Sequence, residues 1–277
     1  MDTIIAKKLE KISCQRRMDI LRMICHAKTG HTGGSLSSID MIVALYYHVM
    51  KVRPSDPGWE DRDRFILSKG HSVEGYYTVL ADLGFFPKEE LNNFSQYQSR
   101  LIGHPTRKVP GVEMNTGALG HGLPVAVGMA LAGKKKRQDH HVYVLMGDGE
   151  QGEGSIYEAA MAAGHYRLDN LIAIIDRNGL QISGDTEKVM GLEPLADKWR
   201  SFRWHVLSCD GNDIEDFLSA VAQAKKTEGK PVMIIANTVK GKGVSFMENN
   251  PKWHHGVPSE AQYMQAMCEL GQDLEGI

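Results

Sequence analysis

The sequence predicts an α/β protein with a doubly wound, mostly parallel sheet flanked by helices, built as one domain over residues 1–277. Three apolar runs are the first sign of this: HVYVLM (141–146), NLIAIID (170–176) and PVMIIANT (231–238). They are apolar at both alternating positions, as strands covered by helices on both faces must be. Segments of helical period, 154–164, 193–200 and 213–226, alternate with the strands, which is the pattern of a wound parallel sheet. Each run also ends in a glycine-rich polar turn, and ligands of open α/β sheets sit beyond the carboxyl ends of the strands.

Along the chain, segment 3–28 carries Ile12, Ile20, Leu21 and Ile24 at helical spacing, and 36–50, 71–83 and 122–133 read as further helices. The stretch 97–120, rich in Gly, Pro and Thr, reads as an extended loop, and a loop that long in a compact domain usually has a function. HVLSCD (205–210) is a weaker fourth strand, and Asn212 or Asp213 can cap the helix after Gly211. A final helix is expected in SEAQYMQAMCEL.

Composition narrows the function. The chain is 42% hydrophobic and 24% charged, with a net charge of −2, which points to no nucleic-acid partner. Its one basic cluster, KKKR at 134–137, ends an apolar helical segment, where cations suit the helix dipole and solvent. Cys14, Cys25, Cys209 and Cys268 are scattered, with no C-x-x-C pair. The N-terminal residues lack a signal-peptide core, and no apolar run is long enough to span a membrane. A reduced, cytoplasmic protein is expected.

The turn LMGDGEQGEG (145–154) places Asp148 between two glycines directly after a strand. Asn178 follows the next strand 30 residues later (178 − 148), about one strand–helix–strand unit, so the two belong on neighbouring strand ends. A carboxylate and an amide oxygen suit Mg²⁺ or Ca²⁺, which complete their shells with phosphate oxygens. The flanking glycines allow close approach of an anion, and the helix beginning near 154 would aim N–H groups at a phosphate. Glu150 and Glu153, not needed by the metal, are expected to face a partner. Five of the twelve histidines follow a glycine: His31, His71, His104, His121 and His165. Several histidines in glycine-rich loops suit a site that orients hydroxyls and moves protons.

Together, KTGHTGGS, LSKGHS, IGHPTRKVPGVEMNTGALGHG, GDGEQGEGSIYEAAMAAGHY, DRNGLQISGD and VKGKGVSF…WHHG resemble transketolase, in order and over nearly the whole chain. The resemblance implies a thiamine diphosphate-binding fold and transfer of a two-carbon ketol unit from a ketose or ketose phosphate to an aldose or aldose phosphate. It implies that Asp148, Asn178 and the Leu180 carbonyl hold Mg²⁺, with Ca²⁺ or Mn²⁺ also able to serve. By the same resemblance Gly149 lies against the diphosphate, which His71 and Lys240 help to hold together with the metal on Asn178. Gly117 and Leu119 contact the thiamine rings. His31, His104 and one of His254 and His255 surround the ketose, with His254 preferred for its place beside Trp253. Glu153 matches a glutamate at the subunit contact. A full transketolase chain is more than twice this length, so the resemblance implies the N-terminal subunit of a split enzyme. The pyrimidine-binding and C-terminal domains would come from a second chain, with two copies of each chain in the assembly. Deoxyxylulose-phosphate synthases and α-keto-acid dehydrogenase subunits share the GDG and Asn element and remain alternatives. A regulatory or structural subunit would need neither Asp148 nor Asn178.

Overall fold

The computed structural model describes residues 3–277. Five strands form one sheet: β1 (Arg64–Leu67), β2 (Val142–Gly147), β3 (Leu171–Arg177), β4 (His205–Asp210) and β5 (Val232–Asn237). They lie in the order β1-β2-β3-β5-β4, and every neighbouring pair is parallel. The helices are α1 (Thr3–Ala27), α2 (Thr32–Ala44), α3 (Val73–Asp82), α4 (Gly122–Lys135), α5 (Gly154–Tyr166), α6 (Thr186–Val189), α7 (Leu195–Ser201), α8 (Ile214–Ala224) and α9 (Glu260–Gly276).

Strand alternation divides the core into two layers. Tyr143 and Leu145 of β2 point to one face, with Ile172, Ile174, Val232 and Ile234, where α1, α2, α3, α8 and α9 pack. Val142, Val144 and Met146 point to the other face, with Ala173, Ile175 and Met233, under α4, α5 and α7. The central strands are buried on both sides, which is why they read as unbroken apolar runs.

β1 has no counterpart among the expected strands. Its four residues, RFIL, directly follow the charged run EDRD and are too few to show a period. β4 is an edge strand with most of its residues partly or fully exposed, and this explains its mixed sequence. The helix expected over 36–50 begins earlier, at Thr32, and its last turn is a π-turn at Leu45–Val49. Asp213, not Asn212, caps α8: its Oδ1 accepts from the amides of Glu215 and Asp216. Asn212 instead joins three segments, donating to Asp40 and to the Ser37 carbonyl while accepting from the Val239 amide. Ser259 and Gln262 form a capping box at the start of α9. Helix α9 then buries Ala266 and Leu270 in the first core layer. Lys134 ends α4 as expected, on the surface, bonded to Asp169 and the Arg167 carbonyl.

Among the described residues no helix is long and apolar enough to cross a membrane. All four cysteines are free thiols.

Candidate active site at the carboxyl edge of the sheet

A cavity of about 380 Å³ opens beyond the carboxyl ends of β2 and β3, a volume suited to a small ligand. One wall comes from the strand ends. In the β2–β3 register Gly147 pairs with Asp176, so Asp148 and Asn178 emerge side by side into the cavity. Asp148 is 2% exposed. Its Oδ1 accepts from the Gly149 amide and its Oδ2 from the Gly179 amide, both at 2.7 Å. Burial raises its pKa and the nearby Asp176 adds to this, against the two amides and the Arg177 guanidinium 3.3 Å away. The Asn178 amide is oriented at both ends: Oδ1 accepts from the Leu180 amide at 3.1 Å, and Nδ2 faces Asp176 at 3.3 Å.

Lys240, after β5, is 2% exposed and reaches the same wall. Its ammonium donates to the Leu180 carbonyl at 3.3 Å and lies 3.0 Å from His254 Nδ1. Burial, with the like charge of Lys69, pushes its pKa down to about 8. An ammonium can only donate, so Nδ1 of His254 accepts and the ring carries its proton on Nε2. The imidazole is accordingly held neutral, with a pKa pushed down to about 3 by burial and by the Lys240 charge.

The second wall is a group of five imidazoles from four loops. The His31 ring centroid lies 5.3 Å from His71, 6.0 Å from His104, 5.8 Å from His254 and 4.7 Å from His255. His71 and His254 are 5.1 Å apart. His31, His71 and His254 line the cavity itself, while His104 and His255 adjoin the His31 ring. Burial, then the neighbouring His255, His104 and Lys240, lower His31 to about 4; burial and Lys69 lower His71 well below the usual range; burial lowers His104. His254 and His255 both flank His31, but His254 faces the cavity and His255 is exposed.

Two features hold this wall in place. Gly117 has φ +142°, and a Cβ there would lie 2.8 Å from His104 Cδ2, so only glycine lets the loop seat against that ring. Glu74, fully buried, accepts from the His31 amide and from Ser35 Oγ, both at 2.8 Å, and burial lifts its pKa to about 7. The 240–257 loop also reaches across: Thr32 Oγ1 donates to the Gly256 carbonyl at 2.6 Å.

Gly117, Leu119 and Gly149 line the cavity. Two expectations need correction. Glu150 does not face a partner: it is 2% exposed, and its carboxylate accepts from Ser68 Oγ and from the amides of Gly120 and Gly147. The helical turn nearest the cavity is the 3-10 turn Gly149–Gly152 rather than α5, which begins only at Gly154. Glu153 is exposed at the N-cap of α5.

Sequence reading missed Asp176, Lys69, Glu74 and Glu150. Asp176 is wholly buried and accepts from Lys69, Ser37 and Thr238; burial pushes its carboxyl up, but Lys69 and these donors hold it low. The one available signal was the presence of ionisable residues inside otherwise apolar segments, Asp176 at the end of NLIAIID and Glu74 within the α3 period.

The donor set fits a hard divalent cation. Asp148 supplies a carboxylate, Asn178 an amide oxygen and Leu180 a main-chain carbonyl, all lining one cavity, and hard cations prefer such oxygens. Among the described residues no group of three His, Cys, Asp or Glu side chains could hold a metal, so these neutral oxygens would be needed beside Asp148. Lys240, His71 and the Gly149 turn leave room and charge for an anion next to it.

A parallel sheet flanked by helices on both faces, with an acid–amide pair on adjacent strand ends and a histidine wall opposite, defines the diphosphate-binding domain of a thiamine diphosphate enzyme. The family model "Transketolase, thiamine diphosphate binding domain" matches residues 9–275, and the chain belongs to that transketolase family. It is 51% identical to an apulose-4-phosphate transketolase subunit of Phocaeicola vulgatus over 96% of this chain and 95% of that one. It is 44% identical to a 6-deoxy-6-sulfo-D-fructose transketolase subunit of a Clostridium species, over 95% and 98% of the two chains. The solved transketolase of Leishmania mexicana superposes with a TM-score of 0.90 at 35% identity, covering 95% of this chain and 41% of that one. The chain thus spans less than half the length of that solved transketolase, and the Campylobacter jejuni enzyme gives the same TM-score with 43% coverage.

Proposed function

We propose that this chain is the diphosphate-binding subunit of a two-chain, thiamine diphosphate-dependent transketolase that moves a two-carbon ketol unit from a ketose or ketose phosphate to an aldose or aldose phosphate. The observation that carries it is the cavity with oxygen donors and Lys240 on one wall and three neutral imidazoles on the other. The cofactor, when bound, supplies the nucleophilic carbon that takes up the ketol unit.

The chain's own residues bind, orient and move protons. Asp148, Asn178 and the Leu180 carbonyl hold Mg²⁺, or Ca²⁺ or Mn²⁺ in its place, and Gly149, His71 and Lys240 receive the diphosphate. Gly117 and Leu119 bound the thiamine rings. His31, His104 and His254 meet the sugar hydroxyls; His31, held neutral, can take a proton on one nitrogen while donating from the other, and His254, whose Nδ1 is taken by Lys240, offers its Nε2–H as a donor. His255 stands at the entrance. The pyrimidine-binding and C-terminal domains come from a partner chain that Glu153 faces, and two copies of each chain assemble with twofold symmetry in the cytoplasm. Relatives named as transketolase subunits, matched over 95% and 98% of their own length, support the divided arrangement. The same names make apulose-4-phosphate and sulfofructose-like ketoses the first donors to screen.

The test is to assay ketol transfer by the purified chain alone and after adding a chain with a pyrimidine-binding domain, while following mass by light scattering. Activity is expected only in the complex, across an interface above about 2,000 Å². Full activity of the isolated chain would sink the two-chain reading.

A further inference from the structure

The carboxylate of Glu150 lies at the junction of three segments. It accepts from Ser68 Oγ, just past β1, from the Gly147 amide ending β2, and from the Gly120 amide at 2.8 Å in the long 97–120 loop. The carbonyl of the same Gly120 accepts from Ser155 Oγ at 2.8 Å, so this residue is gripped through both main-chain groups. Gly120 has φ +82°, and a Cβ there would meet Glu153 Cβ at 2.5 Å. The neighbouring Gly122 is as tightly seated: a Cβ on it would collide with Ser68 Oγ. The segment 116–121 has neither helix nor strand to hold it, yet it places Gly117 and Leu119 in the cavity wall. Glu150 is also a cavity-lining residue, on the side of Gly117 and Leu119 and in the turn that follows Asp148.

We propose that Glu150 is a positioning residue that fixes the 117–120 loop relative to the diphosphate turn and so sets the wall against which the thiamine rings lie. The idea rests on the cofactor reading above. Its physical basis is that a buried carboxylate accepting two main-chain amides and a hydroxyl ties those segments together at fixed distances, and losing it leaves buried donors unpaired. The diphosphate turn keeps its own support, because Asp148 is held independently by the amides of Gly149 and Gly179. Glu150 therefore acts on the ring half of the ligand and not on its phosphates.

That separation gives the test. Calorimetry on the two-chain complex with excess Mg²⁺ compares thiamine diphosphate with inorganic pyrophosphate, which lacks the rings. Glu150→Ala is expected to weaken thiamine diphosphate about 10- to 100-fold and to leave pyrophosphate within about twofold of wild type. Glu150→Gln keeps an oxygen for Ser68 Oγ and the Gly120 amide but turns its NH2 toward the Gly147 amide, donor against donor, and is expected to recover part of the affinity. Ser155→Ala removes the other grip on Gly120 and is expected to reproduce the selective loss at smaller size; it carries the test if Glu150→Ala does not fold. Equal loss of both ligands, unchanged affinity for thiamine diphosphate, or a Gln variant as weak as the Ala variant overturns the proposal. A wild-type complex that takes up pyrophosphate but not thiamine diphosphate would instead overturn the cofactor reading on which it rests.

Discussion

The two walls of the cavity are built on different principles. The oxygen-donor wall stands on adjacent strand ends: Asp148 and Asn178 follow β2 and β3 directly, and the sheet register brings both to the same edge. Its side chains are locked by main-chain amides one or two residues away, as in Asp148 with Gly149 and Asn178 with Leu180. The histidine wall has no such frame. Its five rings come from positions 31 to 255, and His254 and His255 meet His31 because the loop after β5 crosses the start of α2, with Thr32 bonded to Gly256 and Gly241 to Gly33. A site can thus have one half fixed by local geometry, suited to holding a metal and phosphates at set distances, and another half fixed by tertiary contact, suited to receiving substrates of varied shape.

The sharpest way to break this division is to remove the Asp148 carboxylate. Asp148→Ala is expected to lower Mg²⁺-dependent thiamine diphosphate affinity by at least about 100-fold, on the scale of deleting a buried charged partner. Its fold is expected to survive at some cost in melting temperature, because the carboxylate contributes little packing while its loss unpairs the Gly149 and Gly179 amides. Calorimetry beside thermal melting checks both halves, and a mutant that binds normally would remove Asp148 from the metal site.

On the histidine wall the expected damage is to turnover. His104→Ala is expected to lower kcat about 100-fold with far less effect on cofactor affinity. Steady-state kinetics in the two-chain complex, with a cofactor titration, tests it; lost cofactor binding with normal kcat at saturation would move His104 to the other wall.

Lys240 touches both halves, through the Leu180 carbonyl and His254. Replacing it with Met is expected to weaken the diphosphate about 10-fold. Because its pKa is pushed down to about 8, the free protein near pH 8.5 carries part of Lys240 neutral, and an arriving diphosphate draws a proton onto it. Calorimetry in buffers of different ionisation enthalpy is expected to register that uptake in wild type and not in Lys240→Met.

The smallest effect concerns acid stability. His31 and His254 have pKa values near 4 and 3, below the 6.5 of an unfolded histidine. The unfolded chain therefore binds protons first as pH falls, so their contribution is fully present above about pH 6.5 and is lost progressively below it. The melting temperature of the ligand-free chain is expected to fall on acidification, less steeply in His31→Gln and His254→Gln. Parallel curves for mutants and wild type would mean the rings are not held neutral.

The two walls also differed in how far they could be read. The spacing of Asp148 and Asn178 placed them on neighbouring strands because each follows an apolar run, and parallel strands joined by one helix lie side by side. The glycine-preceded histidines indicated a polar site but not their arrangement around His31. Glu150 read as surface because it sits among glycines after a strand. Its burial depends on Ser68 and Gly120, which are distant in sequence, and β1, which carries Ser68 at its end, was itself too short to be read.

The sequence by itself determined the fold class, the central strands β2, β3 and β5, most helices, and the oxygen-donor wall. These depend on hydrophobic period and on residues close in sequence, where local geometry decides position. Tertiary structure alone decided which imidazoles line the cavity, that Glu74 fixes the His31 loop, and that Asp176 and Lys69 pair beneath it. Those outcomes follow from how layers and loops pack, since a buried polar group takes its role from the partners that folding brings within hydrogen-bond distance.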